Sequence, residues 1–229
     1  MLSLNEIEGT VRKAAVGVGL AYGLASEAGR AAGWLAAAGL PALTLSADVL
    51  DAVASGDSNP GHAREDENGW TIVGTDRPLC PFRAGVAACD LLNAGASRIT
   101  LKGVLLPVAA IGLFTVVSTV PRLILSRGDR SDGASIATGI VTVPEADPLE
   151  TGWAGPLDLM IAGSDEDTPA ETGLKRYGEP ADRARVLSTG IPDEPEAMVR
   201  LKRHIAKTLV PASDASRERG AGAGRIDSH

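Results

Sequence analysis

The stretch GVLLPVAAIGLFTVVSTVP, residues 103–121, runs nineteen residues without a charge. That approaches the length of a bilayer span, so its reading separates a membrane protein from a packed domain. Pro107, Gly112, Thr115, Ser118 and Thr119 interrupt it, its second half is β-branched, and Lys102 and Arg122 flank it as single charges rather than as a basic cluster. It reads as two buried strands joined by a turn between Pro107 and Gly112, with membrane insertion the less favoured alternative.

Further strand-like runs lie on either side: WTIVG at 70–74, RITLKGVLL at 98–106, RLILS at 122–126, ASIATGIVTV at 134–143 and PLDLMIAG at 156–163. SRGDRSDGAS, residues 126–135, reads as a hairpin connection. Before the first strand the pattern is helical. Ser3 can cap a helix with Glu6 three positions on, and Leu4, Ile7, Val11 and Ala14 or Ala15 recur at helical spacing. A second helix is predicted over Leu24–Ala38, ending before Pro41, and a short third over Ser46–Val53. The turn-forming, mixed-charge stretch SGDSNPGHAREDEN, residues 55–68, reads as a solvated connection. A last helix should start at Pro195 and run to about Leu209, with Met198, Leu201, Ile205 and Leu209 inward and Arg200, Lys202, Arg203, His204 and Lys207 on its surface.

The chain has 229 residues, 44% of them hydrophobic, enough to bury a substantial core. Its net charge of −7 repels nucleic-acid phosphates, which argues against nucleic-acid binding. Aromatic residues make up only 3%, so small residues in close contact must replace aromatic anchors. Glu6 and Glu8 stand where an export signal would need positive charge, and two cysteines suit a reducing cytoplasm better than a disulfide framework.

Candidate chemistry gathers at DRPLCPFRAGVAACDLL, residues 76–92. Pro81 predicts a helix starting just after Cys80, which places that thiol at the N-cap, where backbone N–H groups, the helix dipole, Arg77 and Arg83 would all favour a thiolate. The competing reading is a small buried hydrophobe at a strand-to-helix junction. Cys80 and Cys89 would lie roughly 13 Å apart along that helix, too far for a disulfide. No metal is expected, because no Cys or His pair has zinc spacing and the acidic runs Glu65–Asp66–Glu67 and Asp165–Glu166–Asp167 do not match a calcium loop. Asp90 is an acid that could face a cleft. In the tail, Gly220, Gly222 and Gly224 alternate with Arg217, Arg219 and Arg225, a combination able to wrap an anion.

Three stretches together carry a resemblance: LSLNEIEGTVRKAAVGVGLAYGLASEAGRAAGWLAAAGLPAL from residue 2, RPLCPFRAGVAACD from residue 77 and VPASDASRERGAGAG from residue 210. They spread over most of the chain and are similar to a bacterial family known as domain of unknown function 3726. The resemblance implies a cytoplasmic bacterial protein of metabolic context, and it brings no activity, cofactor or catalytic residue with it.

The sequence thus predicts an α+β fold: a helical annex over residues 1–56, a body over 57–211 with a mostly antiparallel sheet and covering helices, and a Gly/Arg-rich tail over 212–229. The functional expectation is a metabolic enzyme or enzyme subunit binding a small carboxylate or phosphate metabolite. Arg77, Arg83, Arg217, Arg219, Gly220 and Gly222 would recognise the anion, and Cys80 or Asp90 would do chemistry. The alternative is a non-enzymatic accessory protein that stabilises a partner enzyme through the small-residue face of residues 24–38. Both readings leave the cofactor unknown and homo-oligomerisation open.

Overall fold

A computed structural model describes residues 1–128, 133–146, 149, 153, 155–164 and 173–208. Three helices come first: α1 (Leu4–Gly17), α2 (Tyr22–Ala37) and α3 (Ala42–Ser55). Then follow β1 (His62–Asp66), β2 (Gly69–Val73), α4 (Pro81–Asn93), β3 (Arg98–Val104), α5 (Pro107–Val117), β4 (Arg122–Arg127), β5 (Gly133–Ala137), β6 (Ile140–Pro144), β7 (Leu157–Gly163) and β8 (Leu174–Tyr177). Helices α6 (Pro180–Thr189) and α7 (Pro195–Ala206) close the described chain. The fold is α+β.

The eight strands among the described residues form one sheet in the order β1-β2-β3-β7-β4-β5-β6-β8, antiparallel except for the β2–β3 pair. Register aligns the apolar residues into one band: Ile99 faces Ile161, Leu101 faces Leu159, Leu125 faces Ile161 and Ala134, and Ile136 faces Val141. Each is buried, because the two-residue period of a strand sends alternate side chains to the helix-covered face. The edge strand β1, HARED, is exposed along its length, and its charges discourage pairing with another sheet edge.

Residues 103–121 differ from their sequence reading. They finish β3 and then form helix α5, not a second buried strand. Pro107 lacks the N–H that a central ladder needs but suits the first helical position, and every residue from Pro107 to Phe114 is buried, so no face was left polar enough to mark a helical period. The helix has eleven residues, and no helix among the described residues is long and apolar enough to cross a membrane. The run at 134–143 is two strands, β5 and β6, turning at Thr138 (φ 50°) and Gly139 (φ 78°), the paired positive dihedrals of a tight hairpin. The supposed connection at 55–68 contains β1, the second helix starts at Tyr22, the third is longer than expected, and β8 and α6 carry no clear periodic signal.

Helices pack closely where glycines leave no side chain of their own at the contact. On α2, a methyl at Gly29 would sit 2.6 Å from the Glu8 carbonyl of α1, and one at Gly33 would sit 2.4 Å from the Glu8 carboxylate. On α5, a methyl at Gly112 would lie 2.9 Å from Leu35 of α2. The small-residue face of residues 24–38 is therefore filled by α1 and α5 of the same chain, and the core of α1–α3 is continuous with that of the sheet. Trp34 pins the β5–β6 turn to α2 by donating from Nε1 to the Gly139 carbonyl at 2.8 Å.

Helix α7 runs beside α1 with both N-termini at one end, since Leu2 pairs with Ile191 there and Gly17 meets His204 at the other. At Gly17 a methyl would stand 2.0 Å from the His204 carbonyl oxygen. Gly17→Ala should accordingly lower stability by about 3 kcal/mol, an overpacking penalty against rigid backbone, read as a reduced urea midpoint with unchanged slope.

Candidate functional site

The Cys80 stretch folds as the sequence implies, with its thiol buried. Cys80 is the N-cap of α4 and Pro81 opens the helix. Burial pushes its thiol up, and this outweighs the opposing pull of the Arg83 and Phe82 backbone amides and the Arg83 charge. Cys89 is likewise buried, and desolvation, with Asp90 and Glu27 adding negative charge, pushes its thiol up to about 12. Both remain protonated at neutral pH and behave as small core residues. Arg77 and Asp90 are exposed and Arg83 is half-buried. Arg217, Arg219, Gly220 and Gly222 lie outside the described residues, as does the acidic run 165–167.

Three concavities stand out among the described residues, and none of these three is lined by Arg77, Cys80, Arg83 or Asp90. A small apolar pocket of about 80 Å³ sits between Leu40, Leu45, Leu106 and Trp153. A cleft of about 250 Å³ opens beside the C-terminus of α5, lined by Thr115, Ser118, Thr119 and Thr138 over Phe114 and Leu123. Its hydroxyls are committed locally: Thr115 donates to the Gly112 carbonyl, Thr119 to Asn93 and Thr138 to the Ala137 carbonyl. No charged side chain lines either space.

The third is a groove of about 560 Å³ between α1 and α7. Its α1 wall is Asn5, Glu6, Gly9, Thr10, Arg12 and Lys13, and Met198 and Lys202 of α7 face it, with Leu2 at the end. The 3.6-residue period explains the grouping, since Glu6, Gly9, Thr10 and Lys13 share one stripe of α1 and Met198 and Lys202 one stripe of α7. Three cations and one carboxylate thus line one groove in a chain whose overall charge is −7. No described carboxylate forms an ion pair with Arg12, Lys13 or Lys202.

Gly9 lines this groove. A methyl there would meet nothing within 4 Å, whereas glycines 17, 29, 33 and 112 are each forced by a backbone or side chain that a methyl would strike. Gly23, at the start of α2, is also open. A mid-helix glycine costs about 0.5–1 kcal/mol relative to alanine. No packing contact offsets that cost at Gly9, and what the missing side chain provides is space between Glu6 and Lys13.

A polar seam on the other flank of α7 keeps the groove wall in place. Glu194 accepts from the amides of Leu43 (3.1 Å) and Thr44 (2.8 Å), capping α3 where Pro41 supplies no side-chain cap. Arg200 bridges Asp48 and Asp51, both at 2.7 Å, and His204 Nε2 meets Asp51 Oδ1 at 2.5 Å. His204, expected on the basic surface of the last helix, is in fact buried. Burial raises the Asp51 carboxyl, but hydrogen bonds from His204 and Arg200 and the Arg200 charge outweigh it and hold the group below its ordinary value of 3.8. Among the described residues, no three His, Cys, Asp or Glu side chains converge as a metal ion would require.

Residues 2–75 match the model of a family described as protein of unknown function (DUF3726). The match covers α1 to β2, and so the α1 wall of the groove, while the Cys80 stretch, α7 and the tail lie beyond it. No curated protein matches the chain. The domain resemblance read from the sequence therefore holds over a narrower part of the chain than the three quoted stretches suggest.

Because the Asp51 carboxyl titrates lower in the folded than in the unfolded state, its contribution is present above the unfolded value near 3.8 and is lost as pH falls through the lower folded value. Asp51→Asn should lower stability by about 1 kcal/mol at neutral pH, the modest size reflecting a carboxylate partly open to solvent, and should flatten the acid limb of a stability profile recorded below about pH 5.

Proposed function

We propose that the protein binds a small carboxylate- or phosphate-bearing ligand in the α1–α7 groove. The observation that supports this most is Gly9, which leaves helix α1 weaker than it need be and keeps open the space around which Arg12, Lys13 and Lys202 stand. Cations on two helices brought side by side, with apolar Met198 and Leu2 alongside, suit an anion with a short hydrocarbon body. The proposal retains the ligand class expected from the sequence and moves its recognition away from the Cys80 helix. Neither thiol lines the groove, and the reading is of a binding protein or a binding subunit. An accessory role through the small-residue face of α2 is disfavoured because that face is already occupied within the chain.

Titration calorimetry with citrate and inorganic phosphate tests the reading, and a ligand held at about a hundred times its dissociation constant should stabilise the protein by roughly 2.7 kcal/mol. Lys13→Ala and Lys202→Ala should each weaken binding about 3- to 10-fold, and added salt should weaken it further. Gly9→Ala should separate stability from binding, raising the unfolding free energy by about 0.5–1 kcal/mol while lowering affinity. Affinity unchanged in all three variants would contradict the proposal.

A further inference from the structure

We infer that the ligand of the α1–α7 groove carries an ammonium group as well as its acidic groups, and that its class is the amino dicarboxylates. The inference rests on the anion-binding reading and turns on Glu6, the one carboxylate among the groove residues. A bare dianion would meet repulsion there, whereas an amino dicarboxylate would find a partner for each of its charges.

Glu6 is held for that role. Its Oε2 accepts from the Ser3 amide at 2.8 Å and from the Ser3 hydroxyl at 2.7 Å, completing the capping box of α1. Those two bonds orient the carboxylate, which is exposed and feels the Met1 ammonium and the Asp193 carboxylate, and leave Oε1 with no described partner and open to an N–H donor. The Ser3 backbone N–H, followed by its hydroxyl, holds the Glu6 carboxyl below its ordinary value, so the group is an anion at neutral pH. Along α1, Glu6 and Lys13 stand two turns apart, roughly 10 Å in rise, with Gly9 between them. Acid and base thus mark opposite ends of one open space, and Arg12 and Lys202 bring the cations lining it to three. Asn5 and Thr10 add uncharged hydrogen-bonding groups to the same wall.

The capping box also supplies a clean variant. Glutamine at this position keeps the reciprocal bonds with Ser3 and removes only the charge, so Glu6→Gln should fold with a thermal midpoint close to that of the parent. Calorimetric titration of the full chain with L-aspartate and with succinate, which has the same two carboxylates and no amine, reads the inference directly. The expected result is aspartate binding at least tenfold more tightly than succinate in the parent protein, and a ratio near one in Glu6→Gln with succinate affinity undiminished. Equal affinities in the parent, or a preference that survives Glu6→Gln, would overturn the amine assignment and leave anion binding standing. Silence from both ligands together with citrate and phosphate would overturn both.

Discussion

The structure depends on helices approaching more closely than ordinary side chains allow. With aromatic residues at 3% of the chain, the core cannot be filled by a few large groups, and glycine and alanine bring backbones together instead. Gly29 and Gly33 seat α2 against Glu8 of α1, Gly112 seats α5 against α2, and Gly17 seats α1 against α7. Each contact leaves less room than one methyl needs, so these helices have little freedom to slide, and the stack built on α4 and α5 transmits the sheet's position outward to α1 and α7.

The groove follows from the uneven use of that device. Helices α1 and α7 touch at Gly17 and are joined by backbone pairing at Leu2 and Ile191, yet between those points a methyl at Gly9 would meet nothing within 4 Å. On its other flank α7 is tied to α3 by Glu194, Arg200 and His204, so one side of the helix is satisfied internally and the other is left to the groove. Arg200 and Lys202, two residues apart on one basic helix, therefore have different fates. Arg200 finds Asp48 and Asp51, whereas Lys202 joins Arg12 and Lys13.

Much of the architecture is legible from residue order. The Ser3–Glu6 capping box, Pro81 and Pro195 at helix starts, and the alternation in β4 and β7 all appear where elementary rules place them. Helix α5 is not legible, because a helix buried on every side has no polar face and its period disappears. The site is less legible still. The charges that favour a thiolate at Cys80 are visible in sequence, while the burial that opposes them is a tertiary property. Arg12, Lys13 and Lys202 look like ordinary helix-surface charges until folding joins residues almost two hundred positions apart. The one local hint was Gly9, a poor helix former inside a well-capped helix, and its meaning depends on knowing that nothing packs against it.

The central claim is that the space beside Gly9 is where a ligand sits. Amide hydrogen exchange on the full chain, with and without saturating citrate, tests it most directly. The account predicts slowed exchange confined to residues 5–13 of α1 and 198–202 of α7. Protection centred instead on the start of α4 around Cys80, or on the hydroxyl-lined cleft from Thr115 to Thr138, would contradict it.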